Sequence, residues 1–263
     1  MSVQGEGFRV EPVEHGAVFT LARPAKLNAL TRPMLDGLAA CLDALEAGAA
    51  RLLVITGEGE KAFCAGTDLA ELESMSEPAR LEKSAMARAL FVRLSRSPVT
   101  SVAAVNGLAF GGGLEVAMAC TFRVAAARAS FSLPEIRLGL LPAYAGTQFL
   151  PALVGAGRAL ELMLTGRRID AREALAIGLV NRVVDDAEGP LAAALALAGE
   201  VARMSAPAVE GIRRCVAAAG ARVGDAGLAV EDAEVRRVFV SDDAREGVAA
   251  FLEKRAPRFN RGG

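Results

Sequence analysis

The chain has 263 residues, 52% of them hydrophobic and 23% charged, with a formal net charge of −1. That length and apolar content suit one large domain, or a core with an appendage, around a well-buried interior. Balanced charge argues against a general nucleic-acid binder, which needs a basic face, and a single histidine, His15, nearly excludes a serine triad or a His-rich metal site.

Residues 8–23, FRVEPVEHGAVFTLAR, alternate loosely and turn at His15-Gly16, a β-hairpin pattern that Arg23-Pro24 ends. In TRPMLDGLAACLDALEAG, 31–48, Thr31 is the expected N-cap of a helix. Met34, Leu35, Leu38, Cys41, Leu42 and Leu45 share its apolar face, and Gly48 stops it. RLLVITG, 51–57, is a short continuous apolar run, which predicts a strand buried on both faces. ARLEKSAMARALFVRLSRS, 79–97, predicts an amphipathic helix ended by Pro98, while VTSVAAVNG, 99–107, and FRVAAA, 122–127, predict two more buried strands.

From Pro98 to Cys120 only Glu115 is charged, and Gly107 to Gly111 forms a G-x-x-x-G. A membrane span needs about 20 predominantly apolar residues; Thr100, Ser101, Asn106 and the glycines favour a buried strand, a loop and a helix instead. Strands alternating with helices predict an α/β architecture. From about Pro190 only helix-like segments follow, so the expected division is a core over 1–188 and a helical region over 189–263, docked on the core or on a neighbouring subunit. MSVQGEGFRV has neither a basic start nor an apolar run, and Cys41, Cys64, Cys120 and Cys215 form no C-x-x-C. Small buried thiols in a reduced, cytoplasmic setting are the expectation.

Three stretches share a design: KAFCAGTDLAEL (61–72), NGLAFGGGLEVAMAC (106–120) and SLPEIRLGLLP (132–142). Glycines before a helix let a ligand reach the backbone, and the free N–H groups of a first turn attract negative charge. Two such groups converging from different loops would make an oxyanion hole, with Glu115, one turn into its helix, facing the same pocket. Each residue also has an ordinary account. A first-turn Glu suits the helix dipole, Pro134-Glu135 is common capping chemistry, and Asp68 reads as an N-cap. No G-x-G-x-x-G follows a strand and no G-x-x-x-x-G-K-[ST] occurs.

Together with RPAKLNAL (23–30), LLVITGEGEKAFCAGTDL (52–69), GTQFLPALVG (146–155), LTGRRIDAREALAIGLVNRVV (164–184) and SDDAREGVAAFLEKRAPRF (241–259), these stretches resemble the enoyl-CoA hydratase/isomerase family, the crotonases. The match runs in order over essentially the whole chain. It implies a spiral of ββα units and a helical C-terminal region that supports homotrimers, usually paired into hexamers. It also implies an acyl-CoA substrate whose thioester oxygen lies between the backbone N–H groups of Thr67 and Gly112. Glutamates at both 115 and 135 are the hydratase pattern: Glu115 would deprotonate the water that attacks the β-carbon, and Glu135 would deliver or remove the α-proton. The product would be a 3-hydroxyacyl-CoA, with no metal or redox cofactor beyond the CoA moiety of the substrate, no nucleic-acid partner and no membrane.

By the same resemblance, Lys26, Leu27, the loop Ala65-Gly66-Thr67-Asp68 and Gly111 line the CoA side, with Phe251 and Lys254 of an adjacent subunit completing it. One departure stands out. Where hydratases run with glycines, this chain reads Ala143-Tyr144-Ala145, and Tyr144 is its only tyrosine. That side chain could shape the acyl pocket, tune Glu135 or simply pack; pocket shaping is the expectation. The alternatives to hydration are a double-bond isomerase, which needs one carboxylate, and a non-catalytic acyl-CoA-binding subunit.

Overall fold

The computed structural model describes residues 2–48, 50–185, 187–219, 225–239 and 241–259. Strands β1 (Val3–Gly5), β2 (Phe8–Val13) and β3 (Gly16–Leu21) form an antiparallel meander. The second hairpin turns at the expected pair, with His15 in the left-handed region at φ 67°. Helix α1 (Arg32–Ala47) buries all six residues of the predicted apolar face. Thr31 holds the N-cap position but not the N-cap bond: its Oγ1 is buried with no hydrogen-bond partner. Strand β4 (Leu52–Gly57) is buried at every position, because parallel strands flank it on both sides.

From here the chain repeats one unit, a strand pair followed by helix. The first pair is β4 with β5 (Ala62–Cys64), leading to α2 (Leu69–Ser74) and α3 (Glu77–Arg96). The second is β6 (Thr100–Val105) with β7 (Leu108–Phe110), leading to α4 (Gly112–Ala119). The third is β8 (Phe122–Ala126) with β9 (Ser130–Ser132), leading through a 3-10 turn at Glu135–Leu138 to α5 (Gly146–Val154) and α6 (Ala156–Thr165). Then come β10 (Ile169–Asp170), α7 (Ala171–Ala176) and β11 (Arg182–Val184).

Each pair divides between two sheets. The first strands enter a seven-stranded sheet of order β1-β2-β3-β4-β6-β8-β11, and the second strands enter a four-stranded sheet of order β10-β9-β7-β5. Parallel neighbours need a crossover between them, and carrying the crossovers that follow β4, β6 and β8 through the second sheet winds the chain into the expected ββα spiral. Helix α4 is buried along its whole length between the layers. The apolar run 98–120 is therefore the strand, loop and helix expected of it, and among the described residues no helix is long and apolar enough to cross a membrane.

Helix α8 (Pro190–Ala202) carries the chain out of one compact unit, Met1–Ala198, into a second, Gly199–Gly263. The second unit contains α9 (Ala206–Ala218), α10 (Asp225–Phe239) and α11 (Asp242–Leu252), with no strand among its described residues. Cys41, Cys64 and Cys120 are free and buried, as their spacing suggests, and Cys215 is free and half-buried.

Candidate active site

Two loops meet at the end of the small sheet. After β5, Leu30 N–H donates to Gly66 O at 2.7 Å and Asp68 N–H to Leu30 O at 2.9 Å. This short bridge turns Thr67 N–H away from the strand. Asp68 anchors the far side: it caps α2 by accepting from Ala70 and Glu71 N–H at 3.1 and 3.2 Å, and it pairs with Arg23 at 2.8 Å. Arg23 above all holds its carboxyl below the usual range.

The second loop follows β7, and its three glycines answer to three different neighbours. Gly111 adopts φ 48° and ψ −128°, a conformation that favours glycine, and a Cβ there would stand 2.9 Å from Glu135 Oε1. At Gly112 a Cβ would stand 3.0 Å from the Tyr144 ring. At Gly113 it would stand 2.1 Å from Cys64 O, so only glycine lets α4 lie on β5. The loops abut, since a Cβ on Gly66 would lie 3.2 Å from Phe110 O and 3.7 Å from Gly112 N. Neither Thr67 N–H nor Gly112 N–H donates to an acceptor among the described residues. These are two uncommitted donors on adjoining loops, one of them at the positive end of α4.

Glu115 sits in the first turn of α4 with 1% of its surface exposed. Its Oε1 accepts from Gly146 N–H at 2.7 Å and Tyr144 N–H at 2.8 Å. Both donors converge because Ala145, between them, takes the left-handed φ of 79°. Burial pushes the Glu115 carboxyl up to about 7; the Gly146 N–H pulls it down, the Glu135 charge pushes it further up, and the Tyr144 N–H again opposes. Glu135 opens the 3-10 turn. Its Oε1 lies over Gly111, its Oε2 is buried without a hydrogen-bond partner, and burial raises its pKa too. A buried carboxylate oxygen with no donor is rare in a purely structural role.

Tyr144 bridges the two loops. Its hydroxyl donates to Thr67 Oγ1 at 3.0 Å, and its ring meets Phe91 edge-on with centroids 5.8 Å apart. The hydroxyl thus goes to Thr67 and not to Glu135.

The sequence reading passed over Lys83, which is 1% exposed. Its Nζ donates to Thr67 Oγ1 at 3.2 Å and to Leu30 O at 3.3 Å, and it pairs with Glu71 Oε2. Glu71 Oε1 in turn accepts from Arg32 N–H at 2.9 Å. A signal was present: Lys83 heads the buried stripe of α3 that continues through Ala87, Leu90, Phe91 and Leu94.

Of the residues expected on the CoA side, Leu27 takes a left-handed φ of 49° and its carbonyl accepts from Ala65 N–H at 3.0 Å, joining the two segments. Leu27 lines a cavity of about 380 Å³ with Pro24, Asn28, Gly59, Lys61 and Ala62. Lys26 is exposed at the end of the 3-10 turn Pro24–Lys26. The Asp68 side chain is committed to its cap and to Arg23. Lys254 lies in the second unit, exposed; the side chain of Phe251 lies outside the described residues. Among the described residues no three His, Cys, Asp or Glu side chains gather as metal ligands.

Comparison with known proteins gives one consistent pattern. The sequence profile of the family described as enoyl-CoA hydratase/isomerase matches residues 14–262. The chain is 39% identical to a crotonyl-CoA hydratase of Syntrophomonas wolfei over 259 residues, covering 97% of this chain and 98% of that one. It is 37% identical to a short-chain-enoyl-CoA hydratase of Clostridium acetobutylicum, covering 91% and 92%. Its fold is similar to the crystal structure of an enoyl-CoA hydratase from Bacillus anthracis, with a TM-score of 0.91 at 37% identity, covering 97% and 99%.

Proposed function

The chain belongs to the enoyl-CoA hydratase/isomerase family, and from that premise we propose that it adds water to a trans-2-enoyl-CoA to give a 3-hydroxyacyl-CoA. The observation that carries this reading is the pairing of two carboxyls, the buried Glu115 and the half-buried Glu135 with its buried Oε2, beside two uncommitted backbone donors, Thr67 and Gly112. An isomerase needs one proton shuttle; hydration needs a base for the water and an acid for the α-carbon.

In this reading the thioester oxygen accepts from both N–H groups. Negative charge grows on that oxygen as water adds, so donors aimed there stabilise the transition state more than the substrate. The dipole of α4 acts in the same direction. Gly146 and Tyr144 hold one oxygen of Glu115, leaving the other to bind water and take its proton as the water oxygen attacks the β-carbon. The displaced π electrons move toward the thioester, and Glu135 supplies the proton that the α-carbon receives. Burial raises the pKa of both carboxyls, that of Glu115 to about 7, which brings them closer to the range where a side chain exchanges protons at physiological pH than an exposed carboxylate is.

We assign the cavity beside Leu27, lined by Lys61 together with Glu58 and Glu60, to the adenine end of CoA, with Lys61 and the exposed Lys26 outside its lining as point charges for the phosphates. Ala65, Gly66 and Gly111 allow the pantetheine arm to pass close to the backbone. A homotrimer or hexamer would bring Phe251 and Lys254 of a neighbouring copy to this end. Exposed Met204, Ile212, Val216, Phe239 and Val248 in the second unit support such an assembly.

The test follows the ultraviolet absorbance of the conjugated thioester in crotonyl-CoA, with products weighed by mass spectrometry. Loss of absorbance with gain of one water supports hydration. An unchanged mass with a moved double bond makes the protein an isomerase, and binding without turnover makes it an acyl-CoA carrier.

A further inference from the structure

Tyr144 spans an interval that the substrate must also span. Its backbone N–H grips Glu115, the group that meets the β-carbon in the proposed hydration, and its hydroxyl grips Thr67, on the loop that would hold the carbonyl oxygen. The ring between those ends stands 3.0 Å from the Cβ position of Gly112, so it lies flush against the other oxyanion donor. An acyl chain running from the carbonyl past Glu115 lies along this ring, and its tail must clear it.

The ring is braced. Phe91 of α3 meets it edge-on, and the Thr67 hydroxyl that accepts from Tyr144 also accepts from Lys83, which Glu71 and Leu30 O fix in place. Every member of this chain is buried or half-buried. To swing clear, Tyr144 would have to break its bond to Thr67 and lose Phe91, leaving a polar group without a partner in an apolar setting.

Resting on the hydratase reading, we propose that Tyr144 is the specificity-determining wall of the acyl pocket, restricting the enzyme to short enoyl groups. The Lys83–Glu71 pair acts through the Thr67 hydroxyl as its positioning support. Lys83 and Glu71 touch no substrate in this scheme; they set how firmly the wall stands.

The experiment compares kcat/KM for crotonyl-, hexenoyl- and decenoyl-CoA in the intact chain and in Tyr144→Ala, Tyr144→Leu and Lys83→Met/Glu71→Gln. The unaltered chain should prefer crotonyl-CoA to decenoyl-CoA by at least about tenfold. Tyr144→Ala should raise the decenoyl-to-crotonyl ratio by about 10- to 200-fold, the range that small changes of an apolar pocket command. Tyr144→Leu, which keeps more of the buried volume against Phe91 and guards against loss of folding, should raise it by about tenfold. The double variant removes both charges together and should raise it by about 2- to 10-fold, the worth of one weakened hydrogen bond.

An unchanged ratio in both Tyr144 variants overturns the proposal, as does equal handling of the two esters by the intact chain. A double variant with a lower Tm but an unchanged ratio overturns the positioning role of Lys83 and Glu71. Failure of the unaltered chain to add water to any ester defeats the hydratase reading itself, and is thereby told apart from failure of the wall.

Discussion

Tyr144 joins two largely buried polar clusters that the fold treats in opposite ways. On its hydroxyl side stands Glu71, given a cation in Lys83 and a backbone donor in Arg32 N–H. On its backbone side stand Glu115 and Glu135, where no cation acts on either carboxyl and one oxygen accepts nothing. Each cluster pairs a fully buried group, Lys83 or Glu115, with a half-buried carboxylate, Glu71 or Glu135, so the difference lies in compensation. A buried carboxylate with its countercharge is part of the framework, whereas one without is left poised to exchange protons, at a cost to stability. The poised pair can be tolerated because the compensated pair, α4 and the parallel bridge between Leu30 and Thr67 hold the surrounding loops.

The sharpest test of this contrast is Glu115→Gln, which keeps an acceptor for Gly146 and Tyr144 N–H but removes the proposed base. Hydration of crotonyl-CoA should fall on the order of a thousandfold with CoA-ester binding largely retained, as read by steady-state rates and calorimetric titration. Equal loss of binding and turnover would make Glu115 a framework residue like Glu71. On the other cluster the expected loss is of stability. Lys83→Met strands Glu71 without its cation and should cost about 3 kcal/mol in urea unfolding, while Lys83→Met/Glu71→Gln should recover most of it.

The third expectation concerns pH. The Glu115 carboxyl titrates at about 7 in the fold against 4.5 ordinarily, so the native state retains a proton that the unfolded chain has lost. The slope is therefore negative: stability falls as pH rises from about 4.5 to about 7, by a total on the order of 3 kcal/mol. Glu115→Gln should abolish this fall, making the variant more stable than the unaltered chain above pH 7 and no more stable below 4.5, as measured by thermal melts across that range. A pH-independent difference would mean that Glu115 is not held as described. The smallest effect belongs to Ala145, whose left-handed φ of 79° aims two donors at Glu115. Ala145→Gly should relieve that strain and stabilise by up to about 1 kcal/mol, net of the added freedom of the unfolded chain.

Much of the spiral was legible locally. The apolar run at 52–57 is a strand buried on both faces, and the stripe from Met34 to Leu45 is the buried face of α1. Such patterns state directly which face of an element avoids water. The glycine run before Glu115 was legible as a candidate site because glycines before a helix leave its first N–H groups open to a ligand, and the structure gives each glycine a neighbour: Glu135, Tyr144 and Cys64.

Thr31 shows where local reading stops, since it stands at the cap position and makes no cap. Lys83 shows it more forcefully. On an amphipathic helix a lysine is ordinarily at the wet edge; its place in the stripe with Ala87, Leu90, Phe91 and Leu94 marks the face that turns inward, but not the partners Glu71, Thr67 and Leu30, up to 53 positions away, that close over it. Tyr144 meets Thr67 across 77 positions. The order of elements, their buried faces and the residue types of the site were determined by the sequence itself, because hydrophobic period and glycine chemistry act within a few residues. Which buried polar group received a countercharge and which was left without one was decided only in the tertiary structure, because compensation of a charge depends on what comes within about 3 Å of it after distant segments have packed.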